Sequence, residues 1–330
     1  MARVVGDIGG TNARFAWVES GGALSDACTL PVTGFSSFET ALDHFLAGRP
    51  VDRMCIAIAC PVHQDRLDMT NNHWALSKQA VINRYNLSQF DVLNDFIGLA
   101  HAIPYLDDTE IDRIGDGSAL PNRPIAILGP GTGLGASSLI PDGDRWFAVE
   151  GEGGHVDFAP VDETEIEILR WLKSRHSRVS VERLLSGMGL ENIYQALCDI
   201  DGVIPTDLRA DEITHRALVE NDTRSHRCLM QFCAILGSTA GNLALTLGAM
   251  GGLYLGGGIA RKLGQFIAAS PFRQRFENKG RLRPVMQQIP TFLIKAEYAA
   301  LTGAAMHLLR QTGRQPVQPL PPDRVLQNRM

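Results

Sequence analysis

The first thirty residues place short apolar runs between polar or glycine breaks, a spacing that predicts strand, turn, strand, turn, strand. Val4–Asp7, Ala13–Val18 and Ala27–Val32 are the strand candidates, and Ser20-Gly21-Gly22 separates the second from the third. The apolar positions then change period. Phe38, Ala41, Leu42, Phe45 and Leu46 fall on one face of a helix, which Ser36-Ser37-Phe38-Glu39 opens in the manner of a capping box. Met54–Ala59 is an unbroken apolar run ending at Cys60-Pro61 and predicts a buried strand. Ser77 caps a helix expected to reach about Tyr85. Asp91–Asp95 ends a further strand, and Phe96–Ile103 has helical spacing. The order is three strands, helix, strand, helix, strand, helix.

Near Arg123 the layout starts again. Pro124–Leu128 is a strand, Gly129–Gly135 a glycine-rich turn, and Ala136–Ile140 and Arg145–Val149 two more strands, which suggests an internal duplication. Helical spacing follows over Glu163–Ser174, from Ser180 with Val181, Leu184 and Leu185 apolar, over Glu191–Asp199, over Ala210–Glu220 and from about Ser225 to Leu247. Gly251–Ala260 reads as a strand feeding a glycine-rich turn and a helix, Pro290–Lys295 as a last strand and Leu301–Gln311 as a last helix. The tail Gln315–Met330 is polar and holds four prolines, and is expected to be irregular. The fold implied is α/β, with two similar lobes, a cleft between them and a break in the polar segment Leu106–Asn122. Ligands of such sheets sit where strands end at their carboxyl edges.

Composition narrows the partners. At 330 residues the chain is long enough for two lobes, and a net charge of −5 without any Lys/Arg block speaks against nucleic acid or a membrane surface as partner. The apolar runs are interrupted before the ~20 residues a membrane span needs, so no such span is expected. The first residues enter a strand directly, without a basic-then-apolar leader, and a cytoplasmic location is expected. Cys28, Cys55, Cys60, Cys198, Cys228 and Cys233 form no Cys-x-x-Cys pair and read as reduced core residues.

Chemistry concentrates at the turns. In Gly6-Asp7-Ile8-Gly9-Gly10-Thr11 an apolar strand delivers one carboxylate, two glycines and a hydroxyl. Glycines let backbone N–H groups approach an anion, and the Asp suits a hydrated Mg²⁺ rather than the phosphate itself. Gly131-Thr132-Gly133 mirrors that turn, and Gly256-Gly257-Gly258 offers flat backbone to a nucleotide. Neither matches a Gly-x-x-x-x-Gly-Lys-Ser/Thr loop, and no Gly-x-Gly-x-x-Gly follows the first strand. Asn94-Asp95 stands between a strand and a helix, where an Asp can take an alcohol proton or cap the helix. Glu152 and His155 flank two glycines that let both point at one polyol, and Glu182 is either a third hydroxyl ligand or a first-turn Glu favoured by a helix dipole.

Taken together the motifs resemble those of bacterial glucokinases, in the hexokinase-like group of the two-lobed, ribonuclease H-like and actin-like ATPase fold. The likeness runs nearly end to end. It is carried by Gly6–Arg14, Cys55–Pro61, Met69-Thr70-Asn71, Asn94-Asp95-Phe96, Gly131–Gly135, Glu182–Gly187, Gly256–Ile259 and, most specifically, Glu150–Pro160. The resemblance implies Mg²⁺-dependent phosphorylation of D-glucose at O6 by ATP. It makes Asp95 the general base and also, with Asn94, Glu152, His155 and Glu182, a sugar ligand. It places the phosphates on Gly6–Thr11 and Gly131–Gly133, the adenosine at Gly256–Gly258, and Mg²⁺ behind Asp7 through water. It also implies a small lobe of residues 1–105 with 301–330, a large lobe of 106–300, and a homodimer. Pro130 departs from the family, where Ala is commoner, and the chain lacks the Cys-cluster zinc site of a cousin branch. A kinase for mannose, fructose or an amino sugar would share several of these side chains. A sugar-sensing regulator and an actin-like ATPase are the readings from other classes.

Overall fold

The computed structural model describes residues 2–69, 72–143 and 145–310; Thr70 and Asn71 of the Met69-Thr70-Asn71 motif and the proline-bearing tail lie outside the described residues. In chain order the strands are β1 (Arg3–Ile8), β2 (Asn12–Val18), β3 (Leu24–Pro31), β4 (Arg53–Ile58), β5 (Arg66–Asp68), β6 (Ala75–Ser77) and β7 (Gln89–Asn94). They continue with β8 (Ile111–Ile114), β9 (Ile125–Pro130), β10 (Leu134–Asp142), β11 (Arg145–Gly151), β12 (Leu253–Leu255) and β13 (Thr291–Ile294). One sheet has the order β3-β2-β1-β4-β7 and the other β11-β10-β9-β12-β13-β8. Apart from β8 the two orders correspond strand for strand, as the repeated turn pattern suggested. β4 runs parallel to both β1 and β7, and β12 runs parallel to both β9 and β13. The chain divides into two compact units. Of the described residues, the first holds those through Glu110, Leu139–Glu150 and those from Ala296; the second holds Ile111–Ser138 and Gly151–Lys295.

In the first unit, alternation along β1 sends side chains to opposite faces of the sheet. Val4 and Ile8 join Phe15, Phe38, Leu42, Met54, Ile56 and Trp74 in one apolar cluster. Val5 joins Ala16, Cys55, Leu301, Ala304, Ala305 and Leu308 in another, so the C-terminal helix Ala299–Arg310 covers the second face. That helix also packs on the helix Asp95–Ala102, closely enough that a Cβ on Gly303 would lie 1.7 Å from the Gly98 carbonyl oxygen. A Cβ on Gly98 would in turn meet Ala57 Cβ at 3.0 Å. The strand–helix corner at Asn94-Asp95 is thus set by a backbone contact that only small residues permit.

The second unit builds its core from β9, β12 and β13 with the helices Glu163–Lys173, Gly187–Ile200, Ala210–Leu218 and Thr223–Leu247. The last of these is, by length and a mean hydropathy of 1.4 over its best window, apolar enough to cross a membrane, as a core helix can be. Of that window 72% is buried inside the protein, and Leu229, Phe232, Ile235 and Leu236 are core residues.

Several expectations need correction. The capping box of the helix Phe38–Leu46 is Ser37 with Thr40, not Ser36 with Glu39, because Thr40 N and Oγ1 both bond to Ser37. A small hairpin, β5 with β6, intervenes between β4 and the helix capped by Ser77. The segment Leu106–Asn122 is not merely polar connection, since β8 within it pairs antiparallel with β13. No α-helix starts at Ser180. Val181–Arg183 is a single 3-10 turn, and the helix begins at Gly187 with Ser186 Oγ accepting from Gly189 N at 3.0 Å. Three short helices, Gln265–Ala269, Phe272–Glu277 and Arg283–Gln288, lie where periodicity over five or six residues is too short to read. All six cysteines are free thiols, and all but the half-buried Cys28 are buried.

A buried polar group of the first unit connects β7 with the helices Asp95–Ala102 and Ala299–Arg310. His101, 9% exposed, has its ring 5.2 Å from that of His307. His307 Nε2 is 3.5 Å from Asp91 Oδ2 on β7, and Gln89 also donates to that carboxylate. Burial opposes the charge of Asp91, but the hydrogen bonds from His307 and Gln89 outweigh it and hold the carboxyl below its usual range. Burial, with the neighbouring His307 and Arg310 charges, pushes His101 down to about 3.

Two outcomes follow. Gly303→Ala should cost about 1–3 kcal/mol, the range for overpacking a rigid contact, read as a lower urea midpoint. An unchanged midpoint would show that the helices can part at no cost. His101 stays neutral when folded but gains a proton near pH 6.5 when unfolded, so its contribution is lost as pH falls from 6.5 towards 3. From pH 7 to pH 5 this should remove about 2 kcal/mol of stability. Urea unfolding of His101→Leu should show a flatter dependence over that window, and parallel slopes for the two proteins would refute the assignment.

Candidate active site

The first glycine turn is shorter than its sequence motif. Gly6, Asp7 and Ile8 lie inside β1, where Gly6 pairs with Phe15 and Ile56. A Cβ there would lie 3.0 Å from Ile56 Cγ2, so Gly6 serves packing rather than the turn. Ile8 is buried in the core. Asp7 is half-buried and accepts from Arg14 Nη1 at 3.0 Å. The turn itself is Gly9-Gly10-Thr11, closed by Gly9 N donating to the Asn12 carbonyl at 2.9 Å, with Thr11 exposed at its tip. The Thr11 carbonyl accepts from Val32 N at 2.9 Å, which ties the tip to the end of β3. Sequence reasoning missed the residue that holds the other side. Asn72 Nδ2 donates to the Gly9 carbonyl at 2.9 Å. Nothing local announces that contact, since the two residues are 63 positions apart.

At the end of β7, Asn94 caps the helix Asp95–Ala102 by accepting from Phe96 N at 2.9 Å. Asp95 is the first helical residue and half-buried; its Oδ1 also accepts from Phe96 N, at 3.0 Å. Asn94 is therefore the N-cap of this helix, and Asp95 Oδ1 shares the same Phe96 N–H. Cys60, after β4, is pushed up by burial and by the charges of Asp95 and Asp68, so the thiol stays protonated close to the carboxylate.

The second unit gathers the remaining motifs. β9 runs on through Pro130 and β10 starts at Leu134, so the turn contracts to Gly131-Thr132-Gly133. Gly131 N donates to the Gly133 carbonyl at 2.8 Å, and Gly187 N donates to the Gly131 carbonyl at 3.0 Å. Glu182, on its 3-10 turn, reaches this loop and accepts from Leu134 N at 2.9 Å. That approach requires a glycine, because a Cβ on Gly133 would lie 2.5 Å from Glu182 Oε2. The turn Gly153–His155 presses on the same place, a Cβ on Gly154 falling 2.2 Å from the Leu134 carbonyl oxygen. Glu152 and His155 stand exposed at the two ends of that turn, joined by His155 N donating to the Glu152 carbonyl at 3.0 Å. Val181 N donates to the Val156 carbonyl at 2.9 Å, and Arg178 holds both the His155 carbonyl and Asp157. Glu152, His155 and Glu182, separated by thirty residues of chain, are therefore carried on adjoining turns. Gly256 N donates to the Leu128 carbonyl at 2.9 Å, and Gly257 has φ +84° with its Cα against the Pro130 carbonyl, so the Gly256–Gly258 turn adjoins the Gly131 loop. Asn94 and Asp95 belong to the first unit.

In the second unit, two carboxylates and an imidazole on adjoining turns beside backbone-rich loops are groups of the kind that pair with hydroxyls and phosphates. The family model described as Glucokinase matches residues 4–311. The chain belongs to the glucokinase family. It is 47% identical over 309 residues to a glucokinase of Chromobacterium violaceum, spanning 93% of this chain and 89% of the relative. It is 44% identical to a glucokinase of Hahella chejuensis, spanning 93% and 97%. Among solved structures, the glucokinase of an Antarctic psychrotroph superposes with a TM-score of 0.84 at 34% identity, over 94% of this chain and 99% of that one. The Balamuthia mandrillaris glucokinase in complex with glucose superposes with a TM-score of 0.78 at 21% identity, over 94% and 93%, a likeness of fold. The fold of this glucokinase-family chain is therefore the sugar-kinase form of the actin-like ATPase fold, and the protein is an enzyme of the glucokinase class.

Proposed function

We propose that the protein transfers the γ-phosphoryl group of ATP to O6 of D-glucose, giving glucose 6-phosphate, and does so as a cytoplasmic homodimer dependent on Mg²⁺. The observation that carries this reading is the β7 corner, where the Asn94 cap and the Phe96 N–H that Asp95 Oδ1 accepts fix a carboxylate at a strand end. In this mechanism Asp95 accepts the O6 proton as the oxygen turns on phosphorus, and Asn94 holds a neighbouring hydroxyl. Glu152 and Glu182 accept from sugar hydroxyls, while His155 can donate with one ring nitrogen and accept with the other. The loops Gly9–Thr11 and Gly131–Gly133 take the phosphates through the N–H groups not used to close each loop, and the Gly256–Gly258 turn takes the adenosine. Thr132 and Gly258 are exposed and Gly133 and Gly257 half-buried, so backbone of both loops is within reach of a nucleotide. The donor set for a metal is sparse. Among the described residues no group of three or more His, Cys, Asp or Glu could hold an ion. Asp7, already paired with Arg14, suits a Mg²⁺ held mainly by phosphate and water, which neutralises phosphate charge when bound.

The test is ADP release across glucose, mannose, fructose and N-acetyl sugars, with a no-sugar control. Glucose should be the preferred acceptor, and turnover without sugar would overturn the reading. Asp95→Asn should lower kcat by about 10²–10⁴, the usual range for a general base, with a modest change in glucose KM. A rate within twofold of the parent would remove Asp95 from the chemistry. Gly133→Ala, whose methyl would displace Glu182 from Leu134 N, should raise glucose KM about tenfold, beside the about 1–3 kcal/mol of stability that an orphaned Leu134 N–H costs. A fall in thermal stability without a KM change would make Glu182 a structural residue.

A further inference from the structure

The Gly9-Gly10-Thr11 hairpin contains two consecutive glycines, and such a peptide can flip between two orientations at little cost. An anion site cannot leave that choice open. A trans peptide points its C=O and its N–H in opposite directions, so whatever holds the Gly9 carbonyl also aims the Gly10 N–H. In this structure the Gly9 carbonyl is held by Asn72 Nδ2 at 2.9 Å. The orientation of the Asn72 amide is itself fixed, because its Oδ1 accepts from Trp74 N at 2.8 Å and so its nitrogen must face Gly9. Trp74 is 2% exposed and is locked in turn by Nε1 donating to the Phe35 carbonyl at 3.1 Å and by Met69 N donating to its own carbonyl at 3.0 Å. A chain of directed bonds therefore runs from the core of the first unit, through Trp74 and Asn72, to one peptide of the hairpin. Among the described residues the Gly10 N–H has no acceptor in the protein.

We infer that Asn72 is a positioning residue for the nucleotide. By pinning the Gly9 carbonyl it turns the Gly10 N–H towards the polyphosphate and keeps it there before the anion arrives. The inference rests on the proposed role of this hairpin in holding the phosphates. A peptide left to flip would present a carbonyl oxygen to the phosphate in part of the population, which repels where the N–H attracts. Asn72 touches neither sugar nor phosphate in this account and acts only through the Gly9–Gly10 peptide.

Asn72→Asp separates the two bonds. The carboxylate still accepts from Trp74 N but can no longer donate to Gly9, and it repels that carbonyl. The variant should raise KM for ATP about tenfold while glucose KM stays within twofold and the melting temperature moves little. Asn72→Ala, which loses both bonds, should also raise ATP KM selectively, and guards against misfolding of the Asp variant. Parallel rises in ATP and glucose KM, tracking a lowered melting temperature in both variants, would reduce Asn72 to a structural role and overturn the inference. Gly10→Val serves as the control for the hairpin itself. If its ATP KM is unchanged, the phosphates do not lie there and the functional reading of the hairpin fails. If Gly10→Val raises ATP KM and neither Asn72 variant does, the hairpin stands and the positioning role alone is lost.

Discussion

Close approach of one backbone to another, possible only where a side chain is missing, is the constraint on which both units depend. In the first, Gly303 brings the C-terminal helix against the Gly98 carbonyl, and the helix that starts at Asp95 takes its position from that crossing. In the second, Gly133 admits Glu182 to Leu134 N, Gly154 lets the Glu152–His155 turn lie on the Leu134 carbonyl, and Gly257 sits on the Pro130 carbonyl. Each contact puts a neighbour's polar atom where a Cβ would stand, so one methyl group added at any of these places must displace that neighbour.

Polar satisfaction supports the same points. The Asn94 cap, the Ser186 cap and the Asn72 amide each take a backbone group at the edge of a functional turn and leave the turn with one conformation. Buried ionisable groups are used sparingly. His101 is held neutral by burial, while Asp91 is kept charged by His307 and Gln89, of which His307 joins β7 to the helix Ala299–Arg310. The covering helix is thus fastened to the corner by packing at Gly98 and by charge at Asp91.

The two sheets share a strand order because each begins with the same strand, glycine turn, strand arrangement, with two further parallel strands beside the first. The copies have diverged in what the turn is held by. In the first, a side chain donates to a glycine carbonyl; in the second, a carboxylate accepts from the N–H after the last glycine. The first arrangement turns an N–H outwards, and the second consumes one and presents the carboxylate beside it.

The amino-acid sequence determined the α/β class, the repeated glycine turns, the long amphipathic helices and the family, because apolar periodicity, helix caps and motif order are local properties that neighbouring residues express on their own. Ser77, Asp162 and Asp222 cap the helices they precede, and Asn94 and Asp95 stand at a strand–helix corner, as local chemistry requires. Tertiary structure decided what depends on residues far apart in the chain. It moved Gly6 from the turn to the core, assigned the cap to Asn94, turned Glu182 from a supposed helix start onto the Gly131 loop, and brought Asn72 to Gly9. It also formed the β5–β6 hairpin and the strand β8, too short to outweigh their polar surroundings until partners supplied the hydrogen bonds. Packing and directional bonds between distant segments have no local pattern, so no reading of neighbours along the chain could have placed them.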